Sequence, residues 1–114
     1  MRKLVLLACL VVGVAIQAQV KPKYEKTGDL VKFTSYYDNG TVKETGFYKN
    51  KKLTGVWKKY DQQGNKITLA NYEAGKKVGK WFFWTNEGLK EVNFENNTIV
   101  SVQSWKEDNS LAIN

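Results

Sequence analysis

Histidine is absent from this sequence of 114 residues, and cysteine and proline each occur once. Without histidine the chain cannot form the Ser-His-Asp and Cys-His systems of common nucleophilic enzymes, and it lacks the usual ligand of zinc and copper sites. The one cysteine, Cys9, lies in an apolar N-terminal run, so no disulfide framework is expected beyond it. We therefore predict a protein that is not an enzyme and that holds neither a cofactor nor a metal ion.

The first 18 residues have the pattern of a secretory signal peptide. Arg2 and Lys3 form a positive start, residues 4–16 are an apolar run, and a small-residue site follows at Ala18. The run is shorter than the roughly 20 residues that a membrane span needs, so an uncleaved anchor is the weaker alternative. We expect export to the periplasm, the cell surface or the medium, with no transmembrane segment after signal removal. The predicted units are a signal peptide (1–18), a flexible tether (19–29), a repeat domain (30–106) and a C-terminal tail (107–114).

Glycines and aromatic residues recur at a spacing of 24 residues. Gly55 and Trp57 are followed 24 residues later by Gly79 and Trp81. Further positions share the spacing: Tyr60 and Trp84, Lys52 and Lys76, Tyr48 and Tyr72, and the series Gly40, Gly64, Gly88. Matched positions at one fixed period are typical of repeat proteins. In the third unit Trp105 keeps the spacing of 24 from Trp81, but Asn97 follows Gly75 by only 22, so a loss of about two residues fits the pattern equally well.

Within each unit, runs of β-branched and aromatic residues alternate with turn residues. Asn39-Gly40 between two such runs indicates a hairpin with a type I′ turn. We predict an all-β fold, a single extended antiparallel sheet of successive β-hairpins, in which each hairpin needs its neighbours for stability. The predicted strands are Leu30–Tyr37, Thr41–Tyr48, Val56–Tyr60, Lys66–Tyr72, Lys80–Thr85, Leu89–Phe94 and Thr98–Trp105.

Acidic residues offer the remaining route to catalysis. Glu87, Glu91 and Glu95 lie four residues apart, and paired carboxylates hydrolyse glycosides when a cleft holds them at the right separation. A thin sheet offers no deep, dry pocket to shift a carboxylate pKa. The sequence also lacks an Asp-x-Asp-x-Asp-Gly calcium loop. These acids are therefore expected to be solvated surface groups.

The aromatic residues should form two rows on opposite faces of the sheet. Side chains three residues apart in a strand face opposite sides, so Trp57 and Trp81 belong to one row, and Tyr60 and Trp84 to the other. One row can form the core. The other is either packing or an exposed platform for ligands, and we predict that at least one row is accessible to solvent.

Lysines are concentrated in the first part of the chain. Residues 19–80 contain 14 Lys and 6 acidic residues, whereas residues 81–114 contain 2 Lys and 5 acidic residues. Two of the clusters, around Lys52 and Lys76, fall at equivalent turns and should share one edge of the sheet. Such a surface favours anionic partners, although lysine also keeps sheet edges soluble. The candidate ligand-binding residues are Trp57, Tyr60, Trp81, Trp84, Lys52, Lys58, Lys76 and Lys80.

The repeat unit resembles the MORN repeat, and in particular an antitoxin-like bacterial variant of it. One full unit carries the likeness through Gly55, Trp57, Tyr60, Gly64, Tyr72, Gly75, Lys76 and Gly79. The resemblance covers roughly residues 30–106. It implies an extended sheet of hairpins and a role in protein–protein or membrane-proximal contact. Members of the bacterial variant are often labelled antitoxins, but a signal peptide does not fit the neutralisation of a cytoplasmic toxin.

The expected function is that of an exported, non-enzymatic interaction module that binds a protein or an anionic component of the cell envelope. One alternative is a carbohydrate-binding or cell-envelope-binding module, whose Trp row should lie exposed over a groove. Another is an antitoxin or immunity-like protein. Nucleic acid is not an expected partner of an exported protein, and the sequence leaves the oligomeric state open.

Overall fold

The computed structural model describes residues 20–106 and 111–112, which form one antiparallel sheet. Neighbouring strands follow each other along the chain in the order β1-β2-β3-β4-β5-β7-β8-β9-β10, and the short β6 also pairs with β5. The predicted fold, a single sheet of successive hairpins, is confirmed. The strands are β1 Lys23–Thr27, β2 Leu30–Tyr36, β3 Val42–Lys49, β4 Lys52–Tyr60, β5 Lys66–Glu73, β6 Lys76–Lys77, β7 Gly79–Thr85, β8 Gly88–Glu95, β9 Thr98–Lys106 and β10 Leu111–Ala112.

The N-terminal boundary of the sheet differs from the prediction. Residues 19–29 were expected to be a flexible tether, but Lys23–Thr27 is a strand that pairs with β2 from Lys23↔Thr34 to Thr27↔Leu30. The pairing is local, because Gly28 at φ +64 closes a two-residue turn. The predicted signal peptide (1–18) lies outside the described residues, as does most of the predicted tail (107–114), of which Leu111–Ala112 pairs with β9.

Two kinds of turn alternate along the sheet. Three two-residue turns have positive φ at both central residues, as in type I′: Asn50-Lys51, Ala74-Gly75 and Asn96-Asn97. The first two are 24 residues apart and the last two are 22 apart, which confirms the shortening of the third unit. These turns lie at one end of the strands. We call that end of the sheet the turn edge, and the opposite end of the strands the loop edge.

The type I′ turn predicted at Asn39-Gly40 is wrong. Only Gly40 has a positive φ there, +89. The Gly40 N–H donates to Tyr37 O at 2.9 Å, and the Tyr37 N–H donates to Thr41 O at 2.8 Å. This is a three-residue loop, a type I turn followed by a left-handed glycine. Asn39 stabilises this loop through its side chain, because its Oδ1 accepts from the Thr41 N–H at 3.0 Å.

The Gly-x-Trp motif produces a bulge in β4. Pairing with β3 runs from Lys49↔Lys52 to Phe47↔Thr54 and resumes only at Thr45↔Lys58, so residues 55–57 stand opposite Gly46 alone. The bulge begins at Gly55, whose φ is +70, and Gly79 has φ +66 at the equivalent place in the next unit. Glycine reaches this backbone region without the steric penalty that a Cβ brings. The recurring glycine of the motif is therefore a backbone requirement.

Each bulge lays a tryptophan across the preceding strand. The Trp57 ring covers Gly46 so closely that a Cβ on that glycine would overlap the indole. Trp57 Nε1 donates to Phe47 O at 3.1 Å, and Trp81 Nε1 donates to Asn71 O at 3.0 Å. Both the rings and their acceptors are 24 residues apart, so the repeat in sequence is a repeat of one local structure.

The core is a row of rings on one face of the sheet, which we call the core face. Its most buried members are Trp57, Ala70, Trp81, Val92 and Phe94. Ring centroids lie 5.1 Å apart for Tyr48–Trp57, for Tyr72–Trp81 and for Trp81–Phe94. Aromatic pairs in such tilted and edge-on arrangements add roughly 0.5–1.5 kcal/mol beyond the area they bury. The rings thus provide the hydrophobic packing that aliphatic side chains provide in most domains.

Candidate interaction surfaces

The first predicted aromatic row is structural. Trp57 is 3% exposed and Trp81 is 7% exposed, and the indole N–H group of each is bonded to a backbone carbonyl. Trp57 and Trp81 therefore belong to the core and do not form an exposed ligand-binding row, which corrects that prediction; what they expose lies in a small cleft on the core face. The physical reason is the bulge at Gly55 and Gly79, which turns each indole onto the sheet instead of away from it.

The second predicted row lies on the opposite face but is not continuous. Trp84 is 38% exposed. Its ring contacts Phe82, with centroids 6.1 Å apart, and lies under the Lys66 ammonium at 5.6 Å. Tyr60 is half-buried and makes no ring contact with Trp84, and its carbonyl accepts from the Tyr37 hydroxyl at 2.7 Å. We call the face that carries Trp84 the open face.

An aromatic groove surrounds Trp84 on the open face. Its volume is about 490 Å³, within the roughly 300–1,000 Å³ range of small-ligand pockets. Strand pairing brings its floor together, because Trp84 pairs with Leu89 and Leu89 pairs with Trp105. The groove is lined by Phe82, Trp84, Thr85, Gly88, Leu89, Trp105 and Lys106.

Sequence reasoning found only Trp84 among the lining residues. Trp105 gave a signal, since it lies 24 residues after Trp81, but that spacing indicates the core row. In β9 only one extra residue lies between Phe94↔Ile99 and Asn93↔Ser101, whereas in β4 three residues stand opposite one, so the spacing of 24 does not give the face of Trp105. Trp105 pairs across β8 with Leu89 and so joins the open face, whereas Val102 takes the place on the core face opposite Val92.

Lys52 and Lys76 lie together on the turn edge, as their positions in the repeat predict. The stem of Lys52 packs against Gly75, with carbon atoms 3.8–3.9 Å from the place of a Cβ on that glycine. The Gly75 N–H donates to Leu53 O at 2.9 Å, which ties the two turns to each other. Lys76 follows directly, and Lys51 occupies the neighbouring turn. These lysines are exposed, and none has a carboxylate partner within ion-pair distance among the described residues.

Lys58 and Lys80 do not join that edge. Lys58 pairs with Leu69, and Leu69 pairs with Phe82, so Lys58 lies in the middle of the open face and is half-buried. Lys80 lies two residues before Phe82 on the same face, with its ammonium 3.9 Å from a Glu91 carboxylate oxygen. The eight predicted residues thus divide among the core, the open face and the turn edge.

A small cleft on the core face has one acidic residue, Glu44, in its lining. It measures about 130 Å³ and brings Glu44 and Lys59 near Trp57 and Tyr72. Burial, reinforced by the charge of Glu44, raises the pKa of Tyr72 above its ordinary value of 10.0 and keeps the phenol protonated. The cleft holds a single carboxylate, so it does not provide the pair of acids that glycoside hydrolysis requires.

Across residues 20–106 and 111–112, no group of three or more acidic, His or Cys side chains is arranged to hold a metal ion. The same residues include no helix long and apolar enough to cross a membrane. Comparison of the chain with protein-family models, with curated proteins and with solved structures gave no match. The likeness to MORN repeats therefore stays a prediction drawn from the repeat motif.

Proposed function

We propose that this protein is a non-enzymatic interaction module that binds an anionic partner through the turn edge. The observation that carries the proposal is the alignment of Lys51, Lys52 and Lys76 along one edge, exposed and without carboxylate partners among the described residues. By contrast, Lys49 on the same edge lies 3.6 Å from Asp29 and is partly neutralised. The partner is a protein or an envelope surface that presents carboxylate or phosphate groups, as expected for an exported protein.

The repeat explains why the charges are aligned. Each type I′ turn returns the chain to the same edge after two strands, so lysines at equivalent positions repeat along the sheet. The Gly75–Leu53 hydrogen bond fixes the distance between two turns. A rigid row of like charges gains more from a multiply charged surface than from single ions, because one docking event satisfies all of them.

The size of the effect follows from the number of lysines. A lysine close to an anionic lipid surface contributes about 1 kcal/mol. Replacing Lys52 and Lys76 together with glutamine should therefore weaken binding by about 2 kcal/mol, or roughly 30-fold. Raising the salt concentration should weaken the wild type more than the variant, since exposed charges are screened over about 10 Å at moderate ionic strength.

The test measures binding to phosphatidylglycerol-rich vesicles and capture of partners from an envelope extract. The matched control is Lys43→Gln with Lys90→Gln, which removes the same charge from exposed residues near the loop edge. The proposal predicts that the Lys52/Lys76 variant loses both activities and that the control keeps them. Equal losses in the two variants would show that net charge alone drives binding, and the turn edge would then have no special role.

A further inference from the structure

From the groove on the open face we infer a second binding site, separate from the turn edge, for an acidic peptide segment that inserts one large apolar side chain. Among the residues that the structure describes, no second layer covers this face of the sheet. Away from the groove this face carries Lys58 and the Lys80–Glu91 ion pair. Around Trp84 the same face becomes aromatic.

The shape of the groove fits one large side chain. Phe82, Leu89 and Trp105 form an apolar floor, and the Trp84 ring stands exposed beside it. Aromatic anchors with a desolvated floor are the residues that dominate the binding energy of protein interfaces. A leucine, phenylalanine or tryptophan side chain of a partner would bury its apolar area against these rings.

The charges around the groove select an acidic sequence. The Lys66 ammonium lies 5.6 Å above the Trp84 ring, and Lys106 lines the groove. Neither lysine has a carboxylate within ion-pair distance among the described residues. Carboxylates on either side of the inserted side chain would form ion pairs with Lys66 and Lys106. The cation over the indole face also strengthens such a site, because it stays attracted to the ring while it binds the anion.

The polar groups of the groove are poorly suited to a sugar. Thr85 supplies the one side-chain hydroxyl among the lining residues. That hydroxyl donates to Gly88 O at 3.2 Å and accepts from the Glu87 N–H at 3.2 Å. Apart from the lysines, only the indole N–H groups are left to bond the many hydroxyls of a glycan, and each unbonded hydroxyl would lose its hydration. The observations therefore favour a peptide over a carbohydrate.

The indole N–H signals of a ¹⁵N-labelled protein report the site with an internal control. Trp57 and Trp81 each donate to a backbone carbonyl and are buried, whereas Trp84 and Trp105 line the groove. The probes are capped pentapeptides, Glu-Asp-Trp-Asp-Glu and its leucine-centred and alanine-centred forms, a Lys-Lys-Trp-Lys-Lys peptide, and oligogalacturonate as an acidic sugar. Trp→Phe variants assign the signals.

We expect the tryptophan-centred and leucine-centred acidic peptides to shift the Trp84 and Trp105 signals and to leave those of Trp57 and Trp81 in place. Trp84→Ala should weaken binding by about tenfold or more. Lys66→Gln with Lys106→Gln should weaken it too, whereas the charge-matched Lys32→Gln with Lys43→Gln should not. The inference is overturned by no shift with any acidic peptide, by equal shifts with the basic peptide, or by shifts with oligogalacturonate alone. Failure of the vesicle test with Lys52 and Lys76 would leave this site standing.

Discussion

Replacing Gly46 with alanine tests how the Trp57 ring is seated on the sheet. Gly46 is buried, and a Cβ built on it would overlap the indole of Trp57. The backbone of Gly46 does not lie in the left-handed region, so alanine is conformationally acceptable there. Any loss of stability must therefore come from the contact with the ring. At the equivalent position of the next unit, Ala70 is accommodated beneath its own neighbours with 4% exposure.

The magnitude is a balance of opposed effects. In a strand, alanine is favoured over glycine by about 0.5–1 kcal/mol, because glycine loses more backbone entropy on folding. Forcing a methyl group into a packed site costs about 1–3 kcal/mol. If the ring is expelled, the loss approaches the roughly 3–5 kcal/mol of a buried tryptophan truncation, together with the Trp57–Phe47 hydrogen bond. We expect a net loss of about 2–4 kcal/mol, a fall in Tm of roughly 10–25 °C for a domain of this size.

Urea unfolding of Gly46→Ala, Trp57→Phe and the double variant measures this contact directly. The smaller ring of phenylalanine leaves space for the methyl group. The double variant should therefore be more stable than the sum of the single losses predicts, by about 1–2 kcal/mol. Gly55→Ala is a useful comparison, because its Cβ meets open space and only the left-handed backbone is strained. A Gly46→Ala variant as stable as the wild type would refute the placement of Trp57 over Gly46.

Further predictions concern a turn, a carboxylate and an exposed ring. Ala74→Asn should raise the free energy of unfolding by about 0.5–1 kcal/mol in urea titrations, because residue 74 has φ +49 in a type I′ turn that favours Asn-Gly; a destabilised variant would contradict that turn type. Hydrogen bonds, first from the Asn65 backbone and then from its side chain and Gln63, lower the pKa of Asp61 below its ordinary 3.8. Its stabilising effect should be complete above that value and disappear as the pH falls through the lower folded pKa, which an NMR titration and the acid unfolding of Asp61→Asn would check. Acrylamide should reach Trp84 and the half-buried Trp105 but not the buried Trp57 and Trp81, so Trp84→Phe should lower the quenchable fluorescence and Trp57→Phe should leave it nearly unchanged.

Most of the fold follows from the sequence because the repeat is a repeat of local geometry. The alternation of side chains in strands correctly assigns Trp57 and Trp84 to opposite faces. It does not say which face is buried. Which face is buried depends on the bulge at Gly55, where residues 55–57 stand opposite Gly46. It also depends on the absence of a side chain at Gly46 beneath the Trp57 ring. Both are properties of two strands together and cannot be read from one strand alone.

Two local features of the structure differ from what the sequence predicts. Lys23–Thr27 lies before the first clear unit, next to the only proline, and its strand is held by pairing with β2 instead of by any pattern of its own. Asn39-Gly40 has the sequence of a type I′ turn, but the loop that forms is one residue longer. This longer loop is stabilised by the Asn39 side chain, whose Oδ1 accepts from the N–H and the hydroxyl of Thr41.

The shortening of the third unit connects the repeat to the proposed peptide site. In the first two hairpins the loops of residues 37–41 and 61–65 are tied to each other: the Tyr37 hydroxyl donates to Tyr60 O at 2.7 Å and Asn39 Nδ2 donates to Gln62 O at 3.3 Å. The third hairpin has only residues 86–87 between Thr85 and Gly88. No hydrogen bond joins this short turn to the 61–65 loop in the part of the chain that the structure describes.

The hydrogen bonds between loops therefore stop at the second hairpin, whereas the strand pairing continues through the third. Trp84 occupies the place of Tyr60 in the repeat. The Tyr60 carbonyl accepts from Tyr37 of the neighbouring loop, whereas the Trp84 ring is exposed on the open face. Trp105 lies on the open face beside Leu89, with which it pairs across the strands. Replacing the 86–87 turn with the three-residue sequence of the 62–64 loop, one residue longer, should rebuild the contact between the loops and narrow the groove. The core row would be unaffected, because its tryptophans are fixed by Gly55 and Gly79 on the other face. An irregularity in a repeat is thus the feature from which a specific binding site is inferred, whereas the regular positions serve the fold.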